Sequence, residues 1–434
     1  MKNLILKNGW ILKEINENLE PFFCNIVIEN GLIFEYNEKF HNDGYEVLDL
    51  GGRFITSPLT NFHEHIYSKL AKGFAINSDM ENFAKILSDY WWKEDLCLSE
   101  ESVYYSSLLT GIDSIKNGVG YLFDHHSSPN FIKGSLNIIS EVLNSLGLNN
   151  VLCYEISDRN GKVKTEEALI ENFEFISKNY PTSKGMIGLH ASFTIDDFTL
   201  ERVSELNKDL NSGIHVHICE GEDDRLLSVK KYGKTPLQRF LDYNLLNEKS
   251  ILAHGVKLNS AEISILNEMN VSMALNIDSN LNNSVGIHNF NSLQRTKLLL
   301  GTDGMHSNML KSLKNFFLIL RSFGLSFENS FRFIKNIYNN SNKFLNKYFS
   351  TTKLSYGESA DLVVWDYIPS TPVTSENIWG HVIYGMTESR AKHFLKNGEF
   401  LMKNFELPNI DEDKINYEAK KASLDLYNKF SEIG

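Results

Sequence analysis

The chain has 434 residues, 42% of them hydrophobic, and a formal net charge of −12. An acidic chain of this kind lacks the positive surface that binding to a phosphate backbone requires, so we expect no nucleic-acid partner. No apolar run approaches the roughly 20 residues of a membrane-spanning helix and the first residues show no signal-peptide pattern, so we expect no membrane partner and a cytoplasmic location.

Both ends of the chain are rich in short β-type segments. Residues 4–50 contain apolar and β-branched runs broken by Asn-Gly pairs at 8–9 and 30–31, which favour hairpin turns. Three further strand-like segments lie at 360–367, 381–386 and 393–402. We therefore predict one small composite β-sandwich domain built from residues 1–56 and 355–405.

The middle of the chain, residues 57–354, alternates apolar runs with amphipathic stretches. Ser99 can cap a helix that ends near Asn117, and a strand-like run follows directly. Eight such runs occur, at 54–65, 119–124, 151–156, 185–192, 213–218, 250–256, 271–277 and 297–303. This alternation predicts a (β/α)8 TIM-like barrel, whose chemistry lies at the C-terminal ends of its strands. Residues 406–434 are predicted to form a terminal helix packed on the body.

Polar side chains stand at the C-terminal ends of most of these predicted strands. They are His63, His65, Asp124, His125, His126, His190, His215, His217, His254 and Asp303, with Glu220 just beyond the fifth strand. Residues i and i+2 of a strand face the same side, so a His-x-His pair can bind one ion. A single pair would be explained equally well by histidines bonded to backbone groups, but so many buried polar groups would be costly without a common ligand.

Several imidazoles and one carboxylate are a ligand set that suits zinc or iron. A metal in such a site lowers the pKa of bound water and supplies hydroxide near neutral pH. Hydrolysis also needs a group that moves a proton to the leaving group, and Glu220, three residues after His217, can fill that role.

These residues resemble the pattern of the amidohydrolase superfamily over nearly the whole chain. The motifs that carry the resemblance are HEH at 63–65, HICE at 217–220, LAHG at 252–255 and LGTDG at 300–304. The resemblance implies that His63, His65, His217 and Asp303 bind one metal ion, zinc or iron. It further implies that His254 orients the bound water, that Glu220 and Asp303 carry protons, and that His190 contacts the substrate.

Binuclear members of the superfamily carry a bridging lysine or glutamate at the end of the fourth strand. Lys184 lies at the opposite end of that strand, so a single metal is expected. The pattern also departs from the family at Glu64, at Lys257 and in the turn after the seventh strand, residues 276–280. None of these changes removes a predicted ligand.

More narrowly, the chain resembles the SsnA-type aminohydrolases, which are related to S-adenosylhomocysteine and guanine deaminases. This implies hydrolytic deamination of a nitrogen heterocycle related to purine metabolism, in a homodimer that binds a small-molecule substrate. Two alternatives remain: hydrolysis of a cyclic or linear amide C–N bond, and a metal-loaded protein that binds a ligand without turnover.

Four further residues are candidates for substrate contact from their positions in the sequence. Trp91 and its neighbour Trp92 lie on a predicted helix after the first strand, where an indole can wall a flat heteroaromatic ring or pack in the core. Arg159 follows the third strand and could contact a polar edge of the substrate or lie in a solvated loop. His125 could face the pocket or pack behind it.

Overall fold

In the computed structural model, residues 3–37, 44–76 and 78–433 are described. The strands are β1 Leu4–Ile15, β2 Asn18–Glu29, β3 Leu32–Asn37, β4 Glu46–Asp49, β5 Phe54–Thr56, β6 Leu59–Glu64, β7 Val119–His126, β8 Asn149–Ile156, β9 Ser183–Gly185, β10 Ile187–Ala191, β11 Ile214–Ile218, β12 Ile251–His254, β13 Ser272–Leu275, β14 Lys297–Leu300, β15 Leu362–Trp365, β16 Ala391–Lys396 and β17 Glu399–Met402. They form two sheets.

Helices fill most of the connections between these strands. They are α1 Phe83–Ile86, α2 Trp92–Cys97, α3 Glu100–Lys116, α4 Ser135–Ser145, α5 Lys162–Lys178, α6 Asp197–Leu210, α7 Glu222–Tyr232, α8 Pro236–Asp242, α9 Ser260–Met269, α10 Ile277–Asn282, α11 Met309–Ser322, α12 Phe327–Leu345, α13 Ile378–Tyr384 and α14 Glu412–Glu432. A π-helical turn, Leu87–Trp91, joins α1 to α2, and 3-10 turns lie at Ile66–Ala71, Ser192–Thr194 and Met386–Glu388. Within the described ranges, no helix is long and apolar enough to cross a membrane.

The larger sheet is the predicted (β/α)8 barrel. Its strands run in the order β6, β7, β8, β10, β11, β12, β13, β14, all parallel, with β9 paired to β8. The backbone amides of Thr302 and Asp303 both donate to the His63 carbonyl at 2.9 Å, and this contact joins the last strand to the first. Closure therefore places Asp303 beside the His63–His65 segment.

The barrel strands are apolar along most of their length because both faces are covered. β7 and β8 are buried at every position, and their side chains pack against the surrounding helices and the barrel interior. The capping pattern predicted for α3 is present, since Ser99 and Ser102 form a reciprocal capping box at its start. Such regular local signals are why the alternation could be predicted from the sequence.

The second sheet combines strands from both ends of the chain, in the order β17, β16, β15, β5, β1, β2, β3, with β4 paired to β1. Gly118, at the start of β7, lies against it: a Cβ atom built there would stand 2.5 Å from the Trp365 ring. This close approach fixes how the sheet sits on the barrel. The bounds predicted for the composite domain, 1–56 with 355–405, stay predictions.

Two local predictions are wrong. Residues 381–386 do not form a strand; they belong to α13 and the 3-10 turn after it, because the buried residues Ile378, Val382 and Ile383 recur at helical spacing. The Asn8-Gly9 pair is not a hairpin turn but an irregularity inside β1, with Asn8 at φ 58°. The predicted turn at 30–31 does connect two paired strands, β2 and β3, and Asn397-Gly398 likewise joins β16 to β17.

The predicted terminal helix is α14, which packs by one face on the body of the protein. Ala419, Ala422 and Leu426 are buried there against the segment that follows β6, including Tyr67 and Leu70. α14 therefore supports the loop that begins at the His63–His65 pair.

Candidate metal centre and active-site cleft

The C-terminal ends of four barrel strands bring five predicted site residues together: His63 and His65 from β6, His217 from β11, His254 from β12 and Asp303 after β14. The Nε2 atoms of His65 and His217 are 3.1 Å apart. Asp303 Oδ1 lies 2.9 Å from His65 Nε2 and 3.4 Å from His63 Nε2. Donor atoms of His63, His217, His254 and Asp303 lie within 4.8 Å of one another, and His65 adjoins His217 and Asp303 through the two short distances given above.

The second ring nitrogens of His65 and His217 determine what the converging nitrogens can do. Nδ1 of His65 lies 2.6 Å from the His125 carbonyl, and Nδ1 of His217 lies 2.9 Å from the His190 carbonyl. A carbonyl oxygen can only accept, so each Nδ1 carries the proton and, in the neutral ring, each Nε2 presents a lone pair. Two lone pairs that face each other at 3.1 Å repel unless a proton or a metal cation lies between them. Metal-ligating histidines characteristically donate their other N–H in this way.

The electrostatics of the cluster point the same way. Burial opposes charge on His65, yet the Asp303 carboxylate raises the pKa of His65 to about 9. Burial would also raise the pKa of Asp303, but the neighbouring imidazoles hold the pKa of that carboxyl well below its ordinary value. The cluster therefore combines an ionised carboxylate with a position that favours positive charge.

The distances fit a small divalent ion. Ligands about 2.0–2.1 Å from a tetrahedral ion stand about 3.3 Å from one another, and the separations here run from 2.9 to 3.4 Å. His63 Nε2 finds no hydrogen-bond partner in the part of the chain that the structure describes. The other nitrogen of that ring, Nδ1, lies 2.8 Å from His215 Nε2, so His215 supports a candidate ligand and faces away from the centre.

Glu220 and His254 lie beside this cluster. His254 Nε2 is 3.4 Å from Glu220 Oε2 and 4.0 Å from Asp303 Oδ2, while its Nδ1 is 2.8 Å from Asn280 Oδ1. An amide oxygen accepts, so Nδ1 of His254 is the protonated nitrogen and Nε2 faces the two carboxylates. Burial raises the pKa of Glu220 above its ordinary value, with His254 opposing the shift.

Strained backbone accompanies these side chains. Cys219, His254 and Asp303, at the ends of three different strands, adopt positive φ values of 47°, 69° and 54°. Non-glycine residues enter this region only where their surroundings hold them, and such strain collects at functional sites. At His254 and Asp303 it directs a polar side chain toward the centre.

A cleft with an empty volume of about 580 Å³ opens onto the cluster. Its lining includes the aromatic side chains Tyr67, Phe83, Trp91, Trp92 and Phe193, together with His65, Asp95, Glu155, Arg159, His190, His217, Glu220, Asn283 and Asp303. A cleft of this size, with aromatic walls and polar groups that converge on it, is typical of a small-molecule site.

One wall of the cleft carries a buried ion-pair group. A single nitrogen of Arg159, Nη2, donates to Glu155 Oε1 at 2.6 Å and to Asp95 Oδ2 at 3.1 Å. The guanidinium also lies 4.9 Å from the centre of a Trp92 ring. Burial raises the pKa of Glu155 to about 7, opposed by the Arg159 charge. The Arg159 side chain is thus held in place by Glu155 and Asp95 before any ligand enters.

His190 faces the cleft as a neutral ring. Its Nδ1 lies 2.7 Å from the Thr194 hydroxyl, which leaves Nε2 on the other side of the imidazole. Burial, reinforced by the Arg159 charge, lowers the pKa of His190 well below its ordinary value. A neutral His190 can therefore donate or accept one hydrogen bond at the cleft.

Most of the predicted site residues thus meet around one cleft. Trp91, Arg159 and His190 line it, whereas His125 does not: its Nε2 lies 3.1 Å from the Leu189 carbonyl and 3.2 Å from the His215 carbonyl, behind the candidate ligands.

Sequence reasoning missed several polar residues of the site, among them Asp95, Glu155, Asn280 and Asn283. Asn280 lies in the turn at residues 276–280 that departs from the family pattern, and this departure could have indicated a site residue there. The other three gave no distinguishing pattern.

Comparison with known proteins identifies the family to which the chain is similar. The model of the Amidohydrolase family matches residues 54–406. The 5'-deoxyadenosine deaminase of Methanosarcina barkeri is 26% identical, with 99% of each chain covered. The 5-methylthioadenosine/S-adenosylhomocysteine deaminase of Thermoanaerobacter pseudethanolicus is also 26% identical, covering 98% of this chain and 100% of the relative.

Solved structures share the fold. An adenosine deaminase from Xanthomonas campestris with bound zinc superposes with a TM-score of 0.82 at 19% identity, covering 98% of this chain and 99% of that one. Guanine deaminase from E. coli superposes with a TM-score of 0.78 at 17% identity, covering 93% of this chain and 100% of that one. With the family model matching most of the chain, the resemblance inferred from the four motifs is confirmed: the chain belongs to the amidohydrolase family.

Proposed function

We propose that this protein is a metal-dependent deaminase that hydrolyses an amino group from a purine-related heterocycle and releases ammonia. The observation that carries the proposal is the approach of His65 Nε2 to His217 Nε2 at 3.1 Å, beside Asp303 and with Glu220 at the same cleft. The two relatives and two structures named above are deaminases of 5'-deoxyadenosine, of 5-methylthioadenosine/S-adenosylhomocysteine, of adenosine and of guanine, which agrees with it.

In this proposal His63, His65, His217 and Asp303 hold one divalent ion, and zinc is the metal we favour. A bound ion of this kind lowers the pKa of a water molecule and makes it nucleophilic near neutral pH. A second ion is disfavoured because Glu155, which with His190 and His217 forms another group of potential ligands, is already engaged by Arg159. The homodimer and the cytoplasmic location stay predictions.

The protein's own groups would manage the protons. Glu220 accepts the proton that water loses as it adds to the amino-bearing carbon, and donates it to the nitrogen as the C–N bond breaks and ammonia leaves. His254, held by Asn280, presents Nε2 to the same region and orients the attacking water. Asp303 supports the first proton transfer through the oxygen that faces His254.

The remaining lining would position the substrate. Trp91 and Trp92 supply flat apolar surface against which a heteroaromatic ring can stack. Neutral His190 offers one hydrogen bond to a ring nitrogen or carbonyl. Arg159, fixed between two carboxylates, presents its remaining N–H groups to a polar part of the substrate. His125, which lies behind the candidate ligands, would orient His65 through its backbone carbonyl instead of contacting substrate.

The test is ammonia release from adenosine, 5'-deoxyadenosine, 5'-methylthioadenosine, S-adenosylhomocysteine and guanine, with inosine as a control that lacks the amino group. We expect ammonia from at least one amino-bearing compound, a matching change in ring absorbance, and none from inosine. Bound metal without ammonia, but with hydrolysis of a cyclic amide, would favour the alternative C–N hydrolase. Bound metal with neither activity would favour a ligand-binding protein.

A further inference from the structure

Glu220 is held by a single side chain. It follows β11 in a short loop, between Cys219 and Gly221, so no regular backbone pairing fixes its carboxylate. Within the described ranges, the hydrogen bond to its side chain comes from Asn283, whose Nδ2 donates to Oε1 at 3.1 Å. A buried carboxylate with one donor depends on that donor for its orientation.

The same amide nitrogen reaches toward the second carboxylate. Nδ2 of Asn283 also donates to the Ser279 hydroxyl oxygen at 3.2 Å, and Ser279 in turn donates to Asp303 Oδ2. The two hydrogens of one amide group therefore connect Glu220 directly, and Asp303 through one hydroxyl. Glu220 Oε1 and Asp303 Oδ2 can only accept when ionised, so the Asn283 atom that faces Glu220 must be the amide nitrogen.

The third polar atom of this side chain is also satisfied. Oδ1 of Asn283 accepts a hydrogen bond from Asn282 Nδ2 at 3.0 Å. Asn283 is buried and lies at the end of α10, where its backbone N–H donates to the Ser279 carbonyl at 2.8 Å. Both the backbone and the side chain of Asn283 are thus fixed before a substrate enters.

We propose that Asn283 is a positioning residue of the reaction, which holds Glu220 through Oε1 so that Oε2 faces His254 and the reacting atoms. The 3.4 Å separation between Glu220 Oε2 and His254 Nε2 is the result of this arrangement. Because Oε1 accepts from Asn283, Oε2 is the oxygen left to carry the transferred proton. The inference rests on the proposed deaminase function and adds to it the residue that aims the proton carrier.

Asn283→Leu tests the proposal because it keeps the size of the side chain and removes both donors. We expect kcat to fall by about 10- to 100-fold, since misplacement of a reacting group by a fraction of an ångström is enough for such a loss. KM should change by less than about twofold and the metal content should stay the same. Leu281→Ala is the matched control, because this exposed side chain lies on the same helix and its loss leaves both Asn283 donors in place; its kcat should stay near that of the wild type.

A double-mutant cycle separates positioning from a structural role. In a Glu220→Gln background, Asn283→Leu should lower kcat by less than about twofold further, because the group it positions can no longer carry a proton. Full additivity of the two losses, an unchanged kcat in Asn283→Leu alone, or an effect on KM alone would each overturn the proposal.

The contact between Asn283 and Glu220 can be tested even if the protein is not a deaminase. In that case the wild-type protein releases no ammonia, and the thermal midpoints of the wild type, Asn283→Leu, Glu220→Leu and the double variant test the contact itself. The midpoint shifts of the two single variants should be non-additive in the double variant, since either leucine removes the same hydrogen bond. Additive midpoint shifts would show that Asn283 does not hold Glu220.

Discussion

Glu220→Gln is the substitution that most sharply separates catalysis from metal binding at this site. The amide occupies the same volume as the carboxylate and can still accept from Asn283, so the cleft keeps its shape. It cannot take up and return a proton near neutral pH. Since Glu220 lies outside the proposed ligand set of His63, His65, His217 and Asp303, the metal content should stay that of the wild type.

The expected loss follows from the role assigned to this carboxylate. Glu220 is 6% exposed, so bulk water cannot readily replace it as the proton carrier. General acid–base catalysis contributes about 10²- to 10⁴-fold, which corresponds to about 2.7–5.5 kcal/mol of transition-state stabilisation at 1.36 kcal/mol per tenfold. We therefore expect kcat for ammonia release to fall within this range.

The assay is steady-state ammonia release at saturating substrate, with metal measured on the same sample. Glu222→Gln, two residues further on and exposed at the start of α7, is the matched control and should behave like the wild type. Retention of full turnover in Glu220→Gln would refute the proton-transfer role. Loss of metal from this variant would show instead that Glu220 belongs to the ligand set.

Three other substitutions test separate parts of the structure. Asp303→Asn should reduce bound metal and abolish turnover, because it removes the carboxylate closest to the His65 nitrogen; metal analysis with unchanged stoichiometry and activity would contradict this. Arg159→Ala should destabilise the protein by about 3 kcal/mol, since it leaves two buried carboxylates without their partner, and thermal unfolding measures the loss. Gly118→Ala should lower the free energy of unfolding by about 1–3 kcal/mol, an overpacking cost, because its methyl group meets the Trp365 ring; a lower melting temperature would report this loss. Gly134→Ala, at a similar backbone angle but in open space, should cost clearly less.

The barrel and the converging ligands could be predicted because both depend on local periodicity. A His-x-His pair at the end of a strand places both rings on one side, so His63 and His65 were identified from two positions of sequence. The His-x-x-Glu spacing selected His217 over His215, and the structure places His217 at the centre and His215 behind His63. Asp303 was named through the LGTDG motif, and closure of the barrel brings it beside His63 and His65.

Contacts between distant elements could not be read from the sequence. Glu155 ends β8 as an ordinary acidic residue, and only the fold pairs it with Arg159 and Asp95. Asn283 carries no motif, since its role depends on the distance between the end of α10 and the loop after β11. Residues 381–386 were misassigned because a short apolar run fits a strand or a buried helix equally well.

The most direct test of the central claim is a metal titration of the metal-free protein, followed by ammonia release from the substrate that the panel identifies. We predict no activity without metal and a linear rise with added Zn²⁺ that ends at about one ion per chain, as a single centre formed by His63, His65, His217 and Asp303 requires. Full ammonia release by protein shown to be metal-free would contradict the account, as would a rise that continues to two ions per chain.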